Sequence, residues 1–381
     1  MTIGTSKLVK SVCVDLNKVD DPAAEIIKGL PDCHYAFLIA LVSPEGDLQT
    51  ISSILQKQTH IDHVLGTRTA GEICATGYSE SKVVVLGFPA SHFRSTIRLI
   101  PELNKTNEMQ LSRDILKERQ ALQSACPEFE NEFAFLLADG LSMREETLVL
   151  AISTALGSTQ LFGGSSGDGL RFESAPISFD GEIHENAAVL LLARSCCKIK
   201  IFREGHFEPS EKRLVVTGAI PEERLVTEIN AESAAPEYAR IVGIDPGQLS
   251  PFVFASHPIV VSVGNQHHVR AIQKVEDNHH LRFFSSIDEG MVLTVAKPLN
   301  ISDHLESVLD NLKQPEEPDL IFICDCILRR LEAAQKDELE RMSALLSKHR
   351  VYGFSTYGEQ HNMLHVNQTL TGIAFYPPKD A

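Results

Sequence analysis

The chain has 381 residues, 43% of them apolar and 23% charged, and carries a net charge of −16. That length exceeds the usual single core and makes two domains the default. The acidic balance excludes a protein built to wrap nucleic acid, which needs clustered Lys and Arg, and it disfavours an anionic membrane surface. The N-terminal stretch MTIGTSKLVKSVCVDLNKVDD is charged and has no apolar core before a small-residue cleavage site, so it does not read as a signal peptide. The longest apolar runs, such as Ala187–Ala193, are too short for a membrane span. A soluble, cytoplasmic protein is expected. In that setting the eight cysteines should be reduced, buried small hydrophobes. Cys324-Asp325-Cys326 does not have the CxxC spacing, and on a strand its two thiols would share a face.

In chain order, His34–Val42 reads as a buried strand, closed by the turn Ser43-Pro44-Glu45-Gly46, and Leu48–Gln58 as a helix. His63–Thr67, Lys82–Phe88 and Ser95–Ile100 read as strands, and Leu103–Gln123 as an exposed helix. Glu132–Leu137 is a further strand. Ser142–Leu156 is a helix opened by a capping box of Ser142 and Glu145. After the glycine-rich segment Phe162–Gly169 the texture changes to consecutive strands at Ala175–Phe179, Ala187–Ala193, Ile199–Phe202 and Lys212–Thr217. Pro221-Glu222-Glu223 is a polar break, taken as the domain boundary.

The second half opens with the strand Leu225–Ile229 and a helix around Ala231–Val242. Phe252–Val263 and His268–Val275 read as paired strands across the turn Gly264-Asn265-Gln266. Leu281–Ser285 and Met291–Ala296 are strands, Ser302–Asn311 a helix, Leu320–Cys324 a buried strand and Ile327–Leu346 a long helix. Val351–Phe354 and Leu370–Tyr376 close the chain, and no short-period repeat stands out. The fold expected is mixed α/β (α+β), in two tandem domains, each a largely β-sheet core covered by helices. An extension over 1–34 would pack on the first domain, 35–220, and the second would follow over 221–381.

Two segments carry most of the functional information: FGGSSGDG (Phe162–Gly169) and the C-terminal run Gly353–Phe375. The glycines of the first could form an anion nest, but it lacks the Lys-Ser/Thr of a P-loop and the GxGxxG spacing of a dinucleotide loop. A tight structural turn is the simpler reading. Ser165 and Ser166 do not fit a nucleophile elbow. Glu72, Asp139 and Asp168 lie near glycine turns, where they could face one cleft for acid–base chemistry, bind an ammonium group or merely cap turns. No catalytic constellation emerges, and a non-enzyme is expected.

Several motifs in order bring a family into view. GTRTAGEICATG (Gly66–Gly77), ADGL (Ala138–Leu141), FGGSSGDG and Ala187–Leu191 match one pattern; DEGMVL (Asp288–Leu293), ICDCILR (Ile323–Arg329), GFSTYGE (Gly353–Glu359) and Asn367-Gln368-Thr369 match a second. Over roughly Tyr35 to Pro378 the chain resembles the FIST sensory-domain family, with its N-terminal and C-terminal domains in tandem. The resemblance implies a ligand-sensing module that works beside signalling proteins, for which amino acids and other small metabolites have been suggested as ligands. A stand-alone subset of the family looks like haem-binding nitric-oxide sensors that regulate a partner. This chain is similar to that subset in Glu204-Gly205-His206, Ala255-Ser256-His257-Pro258 and Cys324-Asp325-Cys326, and it holds 15 histidines. The implied function is binding of haem b, a response to nitric oxide, and control of a histidine kinase or cyclic-di-GMP enzyme. The alternative is a non-haem sensor of amino acids or another small metabolite. A homodimer is left open.

A haem ligand needs a free imidazole lone pair inside an apolar pocket. His279-His280 and His267-His268 fall at polar turns and should be solvated; His60, His63, His304 and His349 lie in or beside exposed helices. His257 sits between Phe252-Val253-Phe254 and Ile259-Val260-Val261, with Pro258 marking an edge or break, and is the first candidate for the axial position. A core histidine donating to a backbone carbonyl is the competing reading. His206 stands where the wider family often has an aromatic residue, and His365 precedes the Asn-Gln-Thr motif; either could contact the cofactor or serve packing. Arg270 could pair with a propionate or occupy a solvated strand edge.

Overall fold

The computed structural model describes residues 1–3, 6–263 and 266–377. Two residues of the expected turn, Gly264 and Asn265, lie outside the described residues. The described chain is mixed α/β, with nine α-helices and four sheets.

One supersecondary unit occurs three times. A buried strand crosses over through helix to a parallel neighbour: Tyr35–Val42 to Val64–Arg68, Asn131–Ala138 to Gln160–Ser165, and Leu320–Cys326 to Val351–Thr356. On its other side each first strand pairs antiparallel with Lys82–Pro89, Ala188–Ser195 or Leu370–Phe375. Between the second and third strands each unit extends a short hairpin, and that hairpin joins the sheet of a different unit. Glu72–Cys74 pairs with Val351–Thr356, Ile177–Phe179 with Val64–Arg68, and Glu359–His361 with Gln160–Ser165. Main-chain hydrogen bonds therefore knit sequence from both sides of Pro221 into two of these sheets.

The inner faces of the three sheets meet in one core built on Phe37, Phe88, Phe133, Phe162, Phe322 and Phe375. Helices cover the outer faces, so the central strands are buried on both sides and read as unbroken apolar runs. All eight residues of YAFLIALV are buried. Backbones run close together here. A Cβ on Gly163 would lie 2.2 Å from the Leu136 carbonyl oxygen, which admits only glycine.

The fourth sheet is a module inserted between the second and third units, centred on the long strand Phe207–Ile220 paired with Leu225–Ile229 and Val292–Pro298. Helices Ala234–Val242 and Pro251–Ser256 close its core around Leu214, Val226, Tyr238, Phe254 and Phe283. It meets the three-sheet body through Ala255, Val260, Phe284, Cys326, Ile327 and Tyr357.

Four local expectations are corrected. Phe252–Val263 is not one strand: Pro251 starts a short helix that ends at His257, and the strand begins at Ile259. The long helix over Ile327–Leu346 is broken into Ile327–Gln335 and Leu339–Lys348, with Asp337 at φ +56° between them. The Ser142–Glu145 capping box does not form, because the helix starts at Glu145 and that carboxylate is taken by Arg224 at 2.6 Å. His268 and His349 are buried, at 4% and 5% exposure, where a solvated turn and the neighbourhood of an exposed helix were expected.

Candidate functional site

Each parallel strand of the three units leads into the same turn: Thr69-Ala70-Gly71-Glu72, Ser165-Ser166-Gly167-Asp168 and Thr356-Tyr357-Gly358-Glu359. The turns are bonded to one another. Ala70 N–H donates to the Ser355 carbonyl at 3.0 Å, Gly167 N–H to Arg68 at 3.2 Å, and Ser165 N–H to Gly358 at 2.8 Å. In the first and third, the hydroxyl donates to the acid of its own turn: Thr69 to Glu72, and Thr356 to Glu359 at 2.5 Å. Burial raises the carboxyl of Glu72 to about 7 and that of Glu359 to about 8.

The second turn solves the same problem differently. Burial alone would raise Asp168, but the Tyr357 hydroxyl and the N–H groups of Ser174, Glu173 and Phe172 donate to it and hold it below the usual carboxylate range. Asp139 accepts from the N–H of Leu141 at 2.9 Å and of Asn186 at 2.6 Å, while burial pushes it up. These acids hold turns in place. FGGSSGDG is thus the end of a packed strand plus a turn, with Gly167 lying under the Tyr357 ring. Beside the turns opens a cleft of about 280 Å³ whose walls include Glu45, Gly71, Glu80, Asp168 and Arg171.

His257 closes the helix Pro251–Ser256 and lines a different opening, a groove of about 880 Å³. Pro209, Val242, Val295 and Pro298 give that groove apolar wall, and Lys212 and Lys297 give it cations. The ring Nδ1 lies 3.2 Å from the Val253 carbonyl, and the His257 carbonyl accepts from the Tyr238 hydroxyl at 2.8 Å. Because a carbonyl only accepts, that contact places the proton on Nδ1 and leaves the Nε2 lone pair free.

The other three sequence candidates lie elsewhere. His206 is fully buried in the body, with Nε2 at 2.8 Å from Glu332 and Nδ1 at 2.6 Å from the Arg329 guanidinium. Both nitrogens are engaged, so neither faces an open space that a metal could enter. Burial first, then the Arg329 charge, pushes His206 down to about 4. Arg329 is itself paired with Asp325 at 2.7 Å, both fully enclosed. His365 and Arg270 meet at the seam between module and body, where Arg270 Nη1 donates to the His365 carbonyl at 3.4 Å. Burial lowers the pKa of both. The four candidates therefore do not converge on one site, and only His257 lines a large groove.

Sequence reading missed the triple hydroxyl–x–Gly–acid turn. Aligning the ends of the three apolar strand–helix–strand segments is the signal that exposes it. It also missed Glu332 and Arg329 as partners of His206. Cys324 and Cys326 are both buried on one strand, and all eight cysteines are free thiols. Among the described residues no group of three or more His, Cys, Asp or Glu is placed to hold a metal ion, and no helix is long and apolar enough to cross a membrane.

Two openings of ligand size are present, one beside turns from separate units and one on the inserted module. A family model for the FIST N domain matches residues 36–232, just over half of the chain, and one for the FIST C domain matches residues 234–362. The chain belongs to the FIST family, whose domains mark small-ligand-sensing signalling proteins. No curated protein matches it.

Proposed function

We propose that this FIST protein binds haem b in the 880 Å³ groove through His257, responds to nitric oxide, and signals to a partner histidine kinase or cyclic-di-GMP enzyme. The observation that carries the reading is the His257 ring, fixed by Val253 with Nε2 unclaimed in a groove large enough for a macrocycle. A lone imidazole would suffice for an iron that arrives with its other ligands already in place, and a haem held by His257 would supply the iron chemistry for a diatomic gas. The chain's part follows from its residues. The Nδ1–H bond to Val253 orients the ring. Val242, Val295 and the two prolines exclude water from one side, and Lys212 and Lys297 are the cations for the propionates. Ser256, next to His257, donates to Gln335 Oε1 at 2.6 Å, so a displaced His257 pulls directly on the helix that carries Arg329 and Glu332.

Protein purified from haem-supplemented cells should show a Soret band that His257→Ala removes and His365→Ala leaves, with circular dichroism unchanged in both. A protein with no band and no uptake of added hemin overturns the reading.

A second reading has its own observation. The 280 Å³ cleft beside the turns presents Glu45 and Glu80 together with Arg171, a mixed charge suited to an amino acid or similar metabolite. A saturable rise in melting temperature with one amino acid, retained in His257→Ala, would favour it.

A further inference from the structure

The seam between body and module holds another pocket, of about 220 Å³, which belongs to neither reading above. It lies where the edge strand Ile199–Glu204 of a body sheet faces the edge strand Gln266–Arg270 of the fourth sheet. Arg203, Glu204, Phe207, Val260, His267 and Thr369 are among its walls. Thr369, one of its lining residues, belongs to the Asn-Gln-Thr turn.

Arg203 is the unusual member. It is half-buried, yet among the described residues it forms no salt bridge. Its one hydrogen bond there runs from Nη1 to Nδ1 of His268, at 2.9 Å. His268 cannot serve as its counter-charge: burial first, then the Arg203 and Arg270 charges, push it down to about 4, and the ring is neutral. Taking a guanidinium partly out of water with no carboxylate in salt-bridge contact costs free energy, and burial lowers the Arg203 pKa although the neighbouring Glu204 charge partly opposes that shift. At the same time His268 fixes the plane of the group, so the remaining donors of the fork are held ready for an oxyanion.

The walls narrow the class of anion. Phe207 and Val260 offer apolar surface, which suits a carbon skeleton and not a fully hydrated ion. Glu204, half-buried and raised by burial, already offsets part of the Arg203 charge, so the pocket disfavours an anion with more than one negative charge. We propose that this seam pocket binds a small monocarboxylate, its carboxylate on Arg203 and its carbon chain against Phe207 and Val260. A ligand there touches both body and module and so favours their docked arrangement. Neither haem nor His257 takes part in this pocket.

The test uses the full chain with butyrate, acetate, inorganic phosphate and chloride at matched ionic strength. Melting temperature should rise saturably with butyrate, less with acetate, and not with phosphate beyond the chloride control. Arg203→Gln should abolish the butyrate response, Arg203→Lys should retain part of it, and His257→Ala should leave it intact. Saturation-transfer NMR on the unmodified chain gives a readout free of any folding defect, with transfer to the butyrate methyl group expected. Equal responses to all four anions, a stronger response to phosphate than to butyrate, no transfer, or an unchanged response in Arg203→Gln overturns the proposal.

Discussion

Glu359→Gln is the sharpest probe of the interlocked turns. Glu359 accepts from Thr356 Oγ1 at 2.5 Å, Thr369 Oγ1 at 2.7 Å and Thr369 N–H at 3.2 Å, yet full enclosure still raises its carboxyl from 4.5 to about 8. The folded chain therefore keeps a proton that the unfolded chain releases. The contribution of this group to stability is fully present below pH 4.5 and is lost as pH rises toward 8. Each pH unit in that window is worth about 1.4 kcal/mol. Gln has the same shape and no charge to bury, so the stability of Glu359→Gln relative to the parent should climb by roughly 4 kcal/mol between pH 5 and 8. Urea denaturation at several pH values, compared at constant slope, reads the difference and cancels every group the two proteins share. Parallel pH profiles would refute the argument. Glu72→Gln should behave alike over a narrower window that ends near pH 7, because Glu72 is raised only to about 7.

Two other outcomes are expected. Asp325→Ala leaves the enclosed Arg329 charge without its carboxylate and should cost about 3–5 kcal/mol in urea denaturation, part of which a second change, Arg329→Met, restores. Alkylation of the native protein followed by mass spectrometry should mark the exposed Cys196 first and reach the buried Cys324 and Cys326 only after unfolding.

Much of the β-sheet framework was legible because a strand sandwiched between the core and a covering helix is apolar on both faces: Tyr35–Val42 is apolar along its whole length, and so are the stretches Phe133–Ala138 and Leu320–Cys324 of its two counterparts. The three-residue hairpins were not, since runs such as Glu72–Cys74 and Glu359–His361 are stabilised by partners in a different unit. The threefold repetition stayed hidden because the inserted module separates the third unit from the first two, leaving no fixed period. At Phe252–Val263 the β-favouring composition competed with a proline at a helix start, and the proline prevailed. His257 could be singled out from its apolar neighbours. The role of His206 could not, because its partner Glu332 lies 126 positions away. The two glycine-bearing segments that stood out as separate motifs are copies of one turn, and their acids hold backbone in place.

The central claim is that His257 Nε2 is the axial ligand of a bound haem, and a cavity variant tests it most directly. His257→Gly removes the imidazole but keeps the groove formed by Pro209, Val242, Val295 and Pro298. The account predicts that this variant, incubated with hemin, lacks the parent's absorption spectrum and recovers it when free imidazole is added, along with the spectral change on exposure to nitric oxide. A variant whose hemin spectrum matches the parent's without imidazole would contradict it.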